Sequence, residues 1–454
     1  MVGGVFPGAP IILHGHNRNL GWAHTVNRPD LIDVYLLEMN PENPRQYKFD
    51  GQWRDLEVRL APITIKLFGP ISWTFKREVL WSDYGPVIQR PHATYAIRYA
   101  GFGDVRQVEQ WYRMNKARSF EEWQTAMRMQ AIPSFNCAYA DREGNIYYVY
   151  NARLPLRAEG YDWSGYLPGN TSRTLWTEYL AFDKLPQVIN PASGFVQNCN
   201  SSPFQTTIAS DNPKLEDFSP TLGIETGMTN RALRALELLG SDESISEEEF
   251  YAYKFDVTYS KKSQVAQLVA TVLSMPPSDD PVVREAVEVL RAWDLRTNPE
   301  NMNAAIGALT VQPILRAQYR GKEPPDVMKS FANAAHALKQ AYGQIDVPWS
   351  RVNRLQRGKL DLGLGGGPDV LHAVHGELKN GCIIGDAGDC YILMITFDKK
   401  GVTSRSIHQF GSATLDEKSP HYADQSPLFA KCEMKPVWLD ESEIHGHLER
   451  EYAP

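Results

Sequence analysis

No stretch of this chain approaches the roughly 18 to 20 consecutive apolar residues that a membrane-spanning helix needs. Nor is there a block of like charges or a basic stripe interleaved with aromatic residues. The first absence excludes a transmembrane helix, and the second speaks against nucleic acid as a partner. The opening residues MVGGVFPGAP lack the basic flank and apolar core of a secretory leader. Met1 runs directly into what reads as strand and turn, so the start is expected to be internal to a longer gene product, with any localisation signal upstream.

Cysteine is scarce as well. The five in 454 residues, Cys137, Cys199, Cys382, Cys390 and Cys432, form no CxxC pair, and their odd number argues against a complete disulfide framework. Most are expected to be buried free thiols; a Cys382–Cys390 bridge stays open, with nothing in the sequence to support it. Also missing are a GxSxG elbow, an HExxH zinc helix and a GxxxxGK[ST] phosphate loop. The glycines of LGLGGGPD lack the Lys and hydroxyl that phosphate binding wants and read as a tight turn before a helix at Pro368. His14 and His16 alternate with glycine and share a strand face, but no third ligand accompanies them at short spacing.

What is present describes a large folded protein. Hydrophobic residues make up 43% of the chain, including 11 Trp, 21 Tyr and 17 Phe, enough for an extensive core, and the net charge of -7 is spread over a mixed surface. Pro10 to about Tyr99 alternates polar and apolar positions in short runs, as in DVYLLEM and VRLAPITIKL, which predicts sheet. Ser119 with Glu122 forms a capping box ahead of EEWQTAMRMQ. FNCAYADREGNIYYVYN reads as two strands joined at Arg142–Asn145, with Gly144 and Asn145 supplying positive φ. From Thr229 to about Gly343 apolar residues recur three and four apart, which predicts helices. CYILMITFD and GVTSRSIHQF return to sheet, and a tail from Ser419 to Pro454 closes the chain. A helical middle between sheet-rich flanks predicts an α+β fold with helices layered on mostly antiparallel sheet.

The segments GHNRNLGWAHTVNRPDLIDVY, NCAYADREGNIYY, SGFVQNCNSSPF, MTNRALRALELL and SPHYADQSPLF, in that order, resemble the large chain of penicillin acylases and their homoserine-lactone acylase relatives. The resemblance covers nearly the whole chain and implies an N-terminal-nucleophile hydrolase. The implied fold is an αββα sandwich of two antiparallel sheets, forming one large-chain domain over 1–454. Within it lie a sheet-rich core over 1–240, a helical excursion over 246–343 and a return to the sheet over 346–454. In such enzymes a serine freed by self-cleavage attacks an amide with its own α-amine as base, whose pKa of about 7.7 to 8.0 suits that role. The resemblance places that serine and the first strand upstream of Met1, so this chain by itself is expected to be inactive. It implies a small chain from the same precursor as partner, an N-acyl small molecule as substrate, and a periplasmic or secreted location.

Residue by residue, the resemblance gives Asn200 and the backbone N–H of Val26 as oxyanion donors, each such donor contributing roughly 3 to 4 kcal/mol. Arg231 would orient the asparagine and the α-amine. By themselves Asn200 reads as a turn residue and Arg231 as a helix-surface charge behind the cap Thr229. Asp30, the carbonyl of Ile32, Asp33, the carbonyl of Trp163 and Asp211 fall where the family has a calcium site, and carboxylates with backbone oxygens suit a hard cation; D-x-x-D is also an ordinary loop motif. His14, His24 and Phe135 fall where the family lines its acyl pocket, although a buried aromatic is more often plain core.

Overall fold

The computed structural model of the chain describes residues 1–413 and 415–448, so the last residues of the expected closing tail lie outside the described part. Helices and sheets are both abundant, and the sheets are predominantly antiparallel, as the α+β reading expects. Among the described residues the strands are divided among five sheets. The largest two carry six strands each. One runs in the order Val2–Gly4, His14–His16, Leu20–Thr25, Ser134–Asp141, Ile146–Ala152 and Gln187–Ile189, every pair antiparallel. The other runs Tyr166–Pro168, Ile32–Leu36, Ala93–Tyr99, Gly85–Arg90, Ile71–Ser82 and Glu57–Phe68, and only Tyr166–Pro168 pairs in parallel.

Both large sheets feed one apolar core. Leu20, Trp22, Tyr139 and Tyr148 from the first meet Tyr35 and Ala96 from the second, and helices Gln107–Lys116 and Phe120–Met127 add Met114 and Trp123. Side chains alternate along each strand, so a half-buried sheet needs apolar residues only at every second position. Ile146–Ala152 breaks that alternation: Tyr147 to Ala152 are all buried, because this strand is covered on both faces.

The helical stretch builds a second core. Helices Glu247–Lys254, Gln264–Ser274, Pro281–Arg291, Ala304–Tyr319 and Val327–Tyr342 follow one another. Their starts are fixed chemically: Ser246, Ser263, Asp280 and Asp326 each accept a backbone N–H of the first turn, and Ser246 with Glu249 makes a full capping box. Gly307 lets two elements touch, since a Cβ there would lie 2.2 Å from the Trp293 ring.

Four local expectations are revised. Ser119 does cap Phe120–Met127, but the Glu122 carboxylate accepts from the Arg118 N–H rather than from Ser119, so only half the box forms. In the hairpin turn Gly144 takes positive φ and Asn145 does not; Asp141 holds the turn instead by accepting from the N–H groups of Glu143 and Asn145. No helix begins at Pro368. The chain turns there, with Asp369 at φ 60°, and enters the strand Val374–Lys379. The fourth revision is that His14 and His16 serve different neighbours: His16 is buried against Ser404, while His14 turns to His24. All five cysteines are free, but against expectation most are not fully buried: Cys137 is, while Cys199, Cys382, Cys390 and Cys432 are half-buried.

Candidate active site

Three chain segments far apart in sequence converge beyond the end of the strand Leu20–Thr25. That strand lies between His14–His16 and Ser134–Asp141, with Thr25 opposite Asn136, and Val26 follows it at the surface, 47% exposed. The second segment is the loop Asn198–Ser201. Its shape is set by Asn198, whose Oδ1 accepts from Thr25 Oγ1, from Asn136 Nδ2 (3.1 Å) and from the N–H of Asn200 (3.0 Å), while its Nδ2 donates to the Ser201 carbonyl at 3.1 Å. The short side chain thereby closes a turn on its own backbone and puts Asn200 at φ 60°, a left-handed conformation that asparagine tolerates better than most residues.

The third segment is the start of helix Asn230–Gly240. Thr229 caps it by accepting from the Ala232 N–H at 3.2 Å, and its hydroxyl donates to the Cys199 carbonyl at 3.0 Å, tying the helix to the asparagine loop. Arg231 Nη2 then donates to Asn200 Oδ1 at 3.0 Å, and Asn200 Nδ2 donates to the Val26 carbonyl at 3.0 Å. Val26, Asn200 and Arg231, the three residues singled out as catalytic, therefore sit in one hydrogen-bonded row. Asn200 spends one N–H on Val26 and has, among the described residues, no acceptor for the other.

Sequence reading missed the residues that hold this row in place. Asp369 Oδ1 accepts from Arg231 Nε at 3.1 Å, and Oδ2 accepts from the Asn230 N–H at 2.8 Å. One carboxylate so fixes the guanidinium and meets the positive end of the helix. Asp369 could have been suspected only from its place after three glycines. Among them, Gly366 at φ 72° must be glycine, since a Cβ would lie 2.2 Å from the His372 carbonyl. Asn198 and Asn136 were also overlooked; Tyr148, fully buried, donates to Asn136 Oδ1 at 2.6 Å and orients it.

Beside this row lies an aromatic cluster containing all three proposed pocket residues. The His24 ring is 5.5 Å from Phe135 and 6.1 Å from His14, and Trp111, a fourth member not foreseen, is 6.1 Å from His24. Trp111 Nε1 donates to His24 Nε2 at 3.1 Å, so His24 carries its proton on Nδ1. The His24 N–H donates to His14 Nδ1 at 3.3 Å. Burial first, and then the neighbouring His14, push the His24 pKa down to about 3, which keeps the ring neutral.

The five calcium-ligand candidates are not gathered around one point. Asp33 is fully buried, and its Oδ2 accepts from Arg157 Nε (3.0 Å) and Trp176 Nε1 (2.6 Å). The same guanidinium donates to the Asp30 carbonyl at 3.0 Å and lies 3.4 Å from its carboxylate. Trp163 stacks against that guanidinium at 5.4 Å, Ile32 is an exposed strand residue, and Asp211 accepts from the Ala192 N–H at 2.7 Å. Asp33 Oδ1 does remain a buried oxygen without a partner. Even so, these residues do not fit a shared ion: Arg157 already supplies the cation between the two aspartates. Among the described residues no three His, Cys, Asp or Glu side chains are grouped as a metal would require.

The family model described as penicillin amidase matches residues 1–446. The acyl-homoserine lactone acylase PvdQ of Pseudomonas fluorescens is 25% identical over 98% of this chain, which spans 63% of that relative's length. Penicillin G acylase of Escherichia coli is 32% identical over 206 residues, covering 44% of this chain and 24% of the relative. The solved structure of a thermostable penicillin G acylase from Alcaligenes faecalis superposes with a TM-score of 0.67 at 20% identity, covering 98% of this chain and 90% of that one, which establishes the shared fold.

Proposed function

Since the chain belongs to the penicillin amidase family, whose members are amidohydrolases, we propose that it is the larger part of an enzyme that hydrolyses the amide of N-acyl compounds through a serine acyl-enzyme. The observation that carries the reading is the oriented amide of Asn200, its oxygen turned to Arg231 and one N–H left over. That N–H and the backbone N–H of Val26 would receive the oxygen that becomes negative as the tetrahedral intermediate forms. Donors fixed beforehand act most strongly there, because nothing must reorganise as charge develops. In this scheme the serine hydroxyl attacks the amide carbon and the amine departs with a proton. Water then releases the acyl group.

The nucleophile and a small partner chain are proposed to come from a segment other than residues 1–454, in keeping with relatives that are longer than this chain. A periplasmic or secreted location belongs to the same proposal. No helix among the described residues is long and apolar enough to cross a membrane. The neutral His14, His24, Trp111 and Phe135 cluster would hold the acyl group. An apolar acyl group suits it, whether an aliphatic chain or an arylacetyl group, because burial at about 25 cal/mol per Å² retains it through both half-reactions without polar partners. The leaving amine is gone after the first step and can vary.

The test uses the complete enzyme made from the parent reading frame. A panel of N-acyl homoserine lactones of rising chain length is run beside a phenylacetyl amide, with mass detection of the covalent acyl-serine. Hydrolysis of the apolar members with a trapped acyl-enzyme is expected. Preference for a charged acyl group would contradict the pocket assignment. Ligand binding without any turnover would instead show a chain that only binds acylated compounds.

A further inference from the structure

A cavity of about 400 Å³ opens between the helix Glu247–Lys254 and the C-terminal region, with Tyr253, Phe255, Arg296, Asn298, His372 and Cys432 on its walls. A volume of this size is in the range that holds small molecules. Cys432 is placed unusually. It follows helix Ser426–Ala430 and its N–H donates to the Phe429 carbonyl at 3.0 Å, the C-terminal cap position that glycine ordinarily fills, yet the cysteine takes it at φ 57°. A side chain there costs roughly 1 to 2 kcal/mol of backbone strain, and strain of this kind is one mark of a functional position.

The thiol has a base within reach. Cys432 Sγ is 3.9 Å from His372 Nε2, and His372 Nδ1 is 3.4 Å from Asp389 Oδ2. His372 is 1% exposed, packed between Phe255 and Phe429, and Nδ1 has no fully formed hydrogen bond. Asp389 is itself anchored, accepting from Lys254 Nζ at 2.7 Å and from the Ala373 N–H at 3.1 Å. Burial alone would raise the Asp389 carboxyl, but Lys254 and His372 outweigh it and hold the group below its ordinary value, as carboxylate. A thiol, an imidazole and an orienting carboxylate in sequence is the arrangement that activates a nucleophile, and it is often loose before a reactant arrives. On the rim the exposed Arg296 donates to Asn298 and, among the described residues, makes no ion pair.

We propose that Cys432, His372 and Asp389 form a thiol-modification site, at which a small carboxylate-bearing disulfide drawn to Arg296 exchanges with Cys432. In the step, His372 Nε2 takes the thiol proton as Sγ attacks one sulfur of the disulfide. The Sγ–S bond forms, the original S–S bond breaks, and the displaced thiolate leaves and recovers the proton from His372. Cys432 is oxidised to a mixed disulfide, and half of the reagent is reduced to free thiol. Asp389 stabilises the transient imidazolium. Burial pushes the Cys432 thiol up to about 11, so the group rests protonated and its proton must pass to a base as Sγ attacks.

The test exposes the purified chain to oxidised glutathione and, separately, to neutral bis(2-hydroxyethyl) disulfide, and follows each cysteine by peptide mass mapping. Cys432 is expected to be modified at least about tenfold faster than Cys382, which has Tyr342 beside it and no histidine. His372→Asn should slow Cys432 by at least about tenfold and leave Cys382 unchanged. Arg296→Gln should slow glutathione disulfide but not the neutral reagent. Cys432 reacting no faster than Cys382 in the unaltered chain would overturn the proposal, whether or not the His372 variant folds. An unchanged rate in a folded His372→Asn chain would overturn it too, and equal effects of Arg296→Gln on both reagents would overturn the carboxylate preference.

Discussion

Arg231 and Asn200 meet at 3.0 Å, guanidinium to amide oxygen, and that contact fixes which way the asparagine faces. Arginine has only donors, so the amide oxygen must turn to it and the NH2 group to the other side, where Val26 lies. A helix start, a loop and a strand end are joined through one side chain.

Removing that side chain should therefore affect the transition state. In the complete enzyme Asn200→Ala is expected to lower kcat by about two to three orders of magnitude with little change in KM, the signature of a donor used only when charge has developed. Val26→Ala should be mild, because the donor proposed there is the backbone N–H. Steady-state kinetics on both variants decide the matter, and near-normal turnover of Asn200→Ala would show the assignment wrong.

Asp369 touches neither Asn200 nor, in this reading, substrate, yet it holds Arg231 Nε and the helix start together. Asp369→Ala should lower kcat by about tenfold or more while KM stays near its original value, since a freed guanidinium no longer fixes the amide. It should also cost about 1 kcal/mol of stability through the lost cap. A purely structural role would lower the urea midpoint and leave kcat per folded molecule unchanged.

These residues show where legibility in the sequence ended. Asn200, Arg231 and Val26 could be singled out because each sits inside a short recognisable segment, and the structure brings the three into one hydrogen-bonded row. Asp369 and Asn198 were not, because their meaning lies in contacts 138 residues away, to Arg231, and 173 residues away, to Thr25. The hairpin around Gly144 and the helical middle were legible because turn chemistry and a 3.6-residue period are local properties. How the strands are divided among five sheets was not, because pairing is a long-range choice. Trp111 was hidden for a similar reason, since it projects from a helix onto a histidine 87 residues earlier.

The buried His24 should make stability depend on pH. Its folded pKa of about 3 lies below the ordinary histidine value of 6.5, so the unfolded chain takes up the proton first as pH falls. The contribution is therefore fully present above about 6.5 and is lost progressively down to about 3. At about 1.4 kcal/mol per unit, this one group accounts for a loss of about 2 kcal/mol by pH 5. His14, His16, His375 and His408 are also shifted down by burial and steepen the overall curve. His24→Gln separates the contribution: urea midpoints measured from pH 7.5 to 5 should fall less steeply in the variant, and parallel curves would exclude the assignment.

The Arg157 guanidinium raises the last expectation, because it stands where the family resemblance anticipates a metal ion. Its side chain and that of Asp33 are both fully buried, and the guanidinium also serves the carbonyls of Asp30 and Thr221. Replacing one member of a buried pair strands the other charge, so Arg157→Met should destabilise the chain by about 3 to 5 kcal/mol. Calcium discriminates between the two cations. With Arg157 present, millimolar Ca²⁺ or a chelator should leave the thermal midpoint unchanged. In the variant, Asp30 and the vacated Asp33 offer hard oxygens to an ion, and Ca²⁺ should recover part of the lost stability. A clear Ca²⁺-dependent rise in the midpoint of the unaltered chain would show that the ion binds despite the guanidinium and would restore the Asp30–Asp33 calcium site.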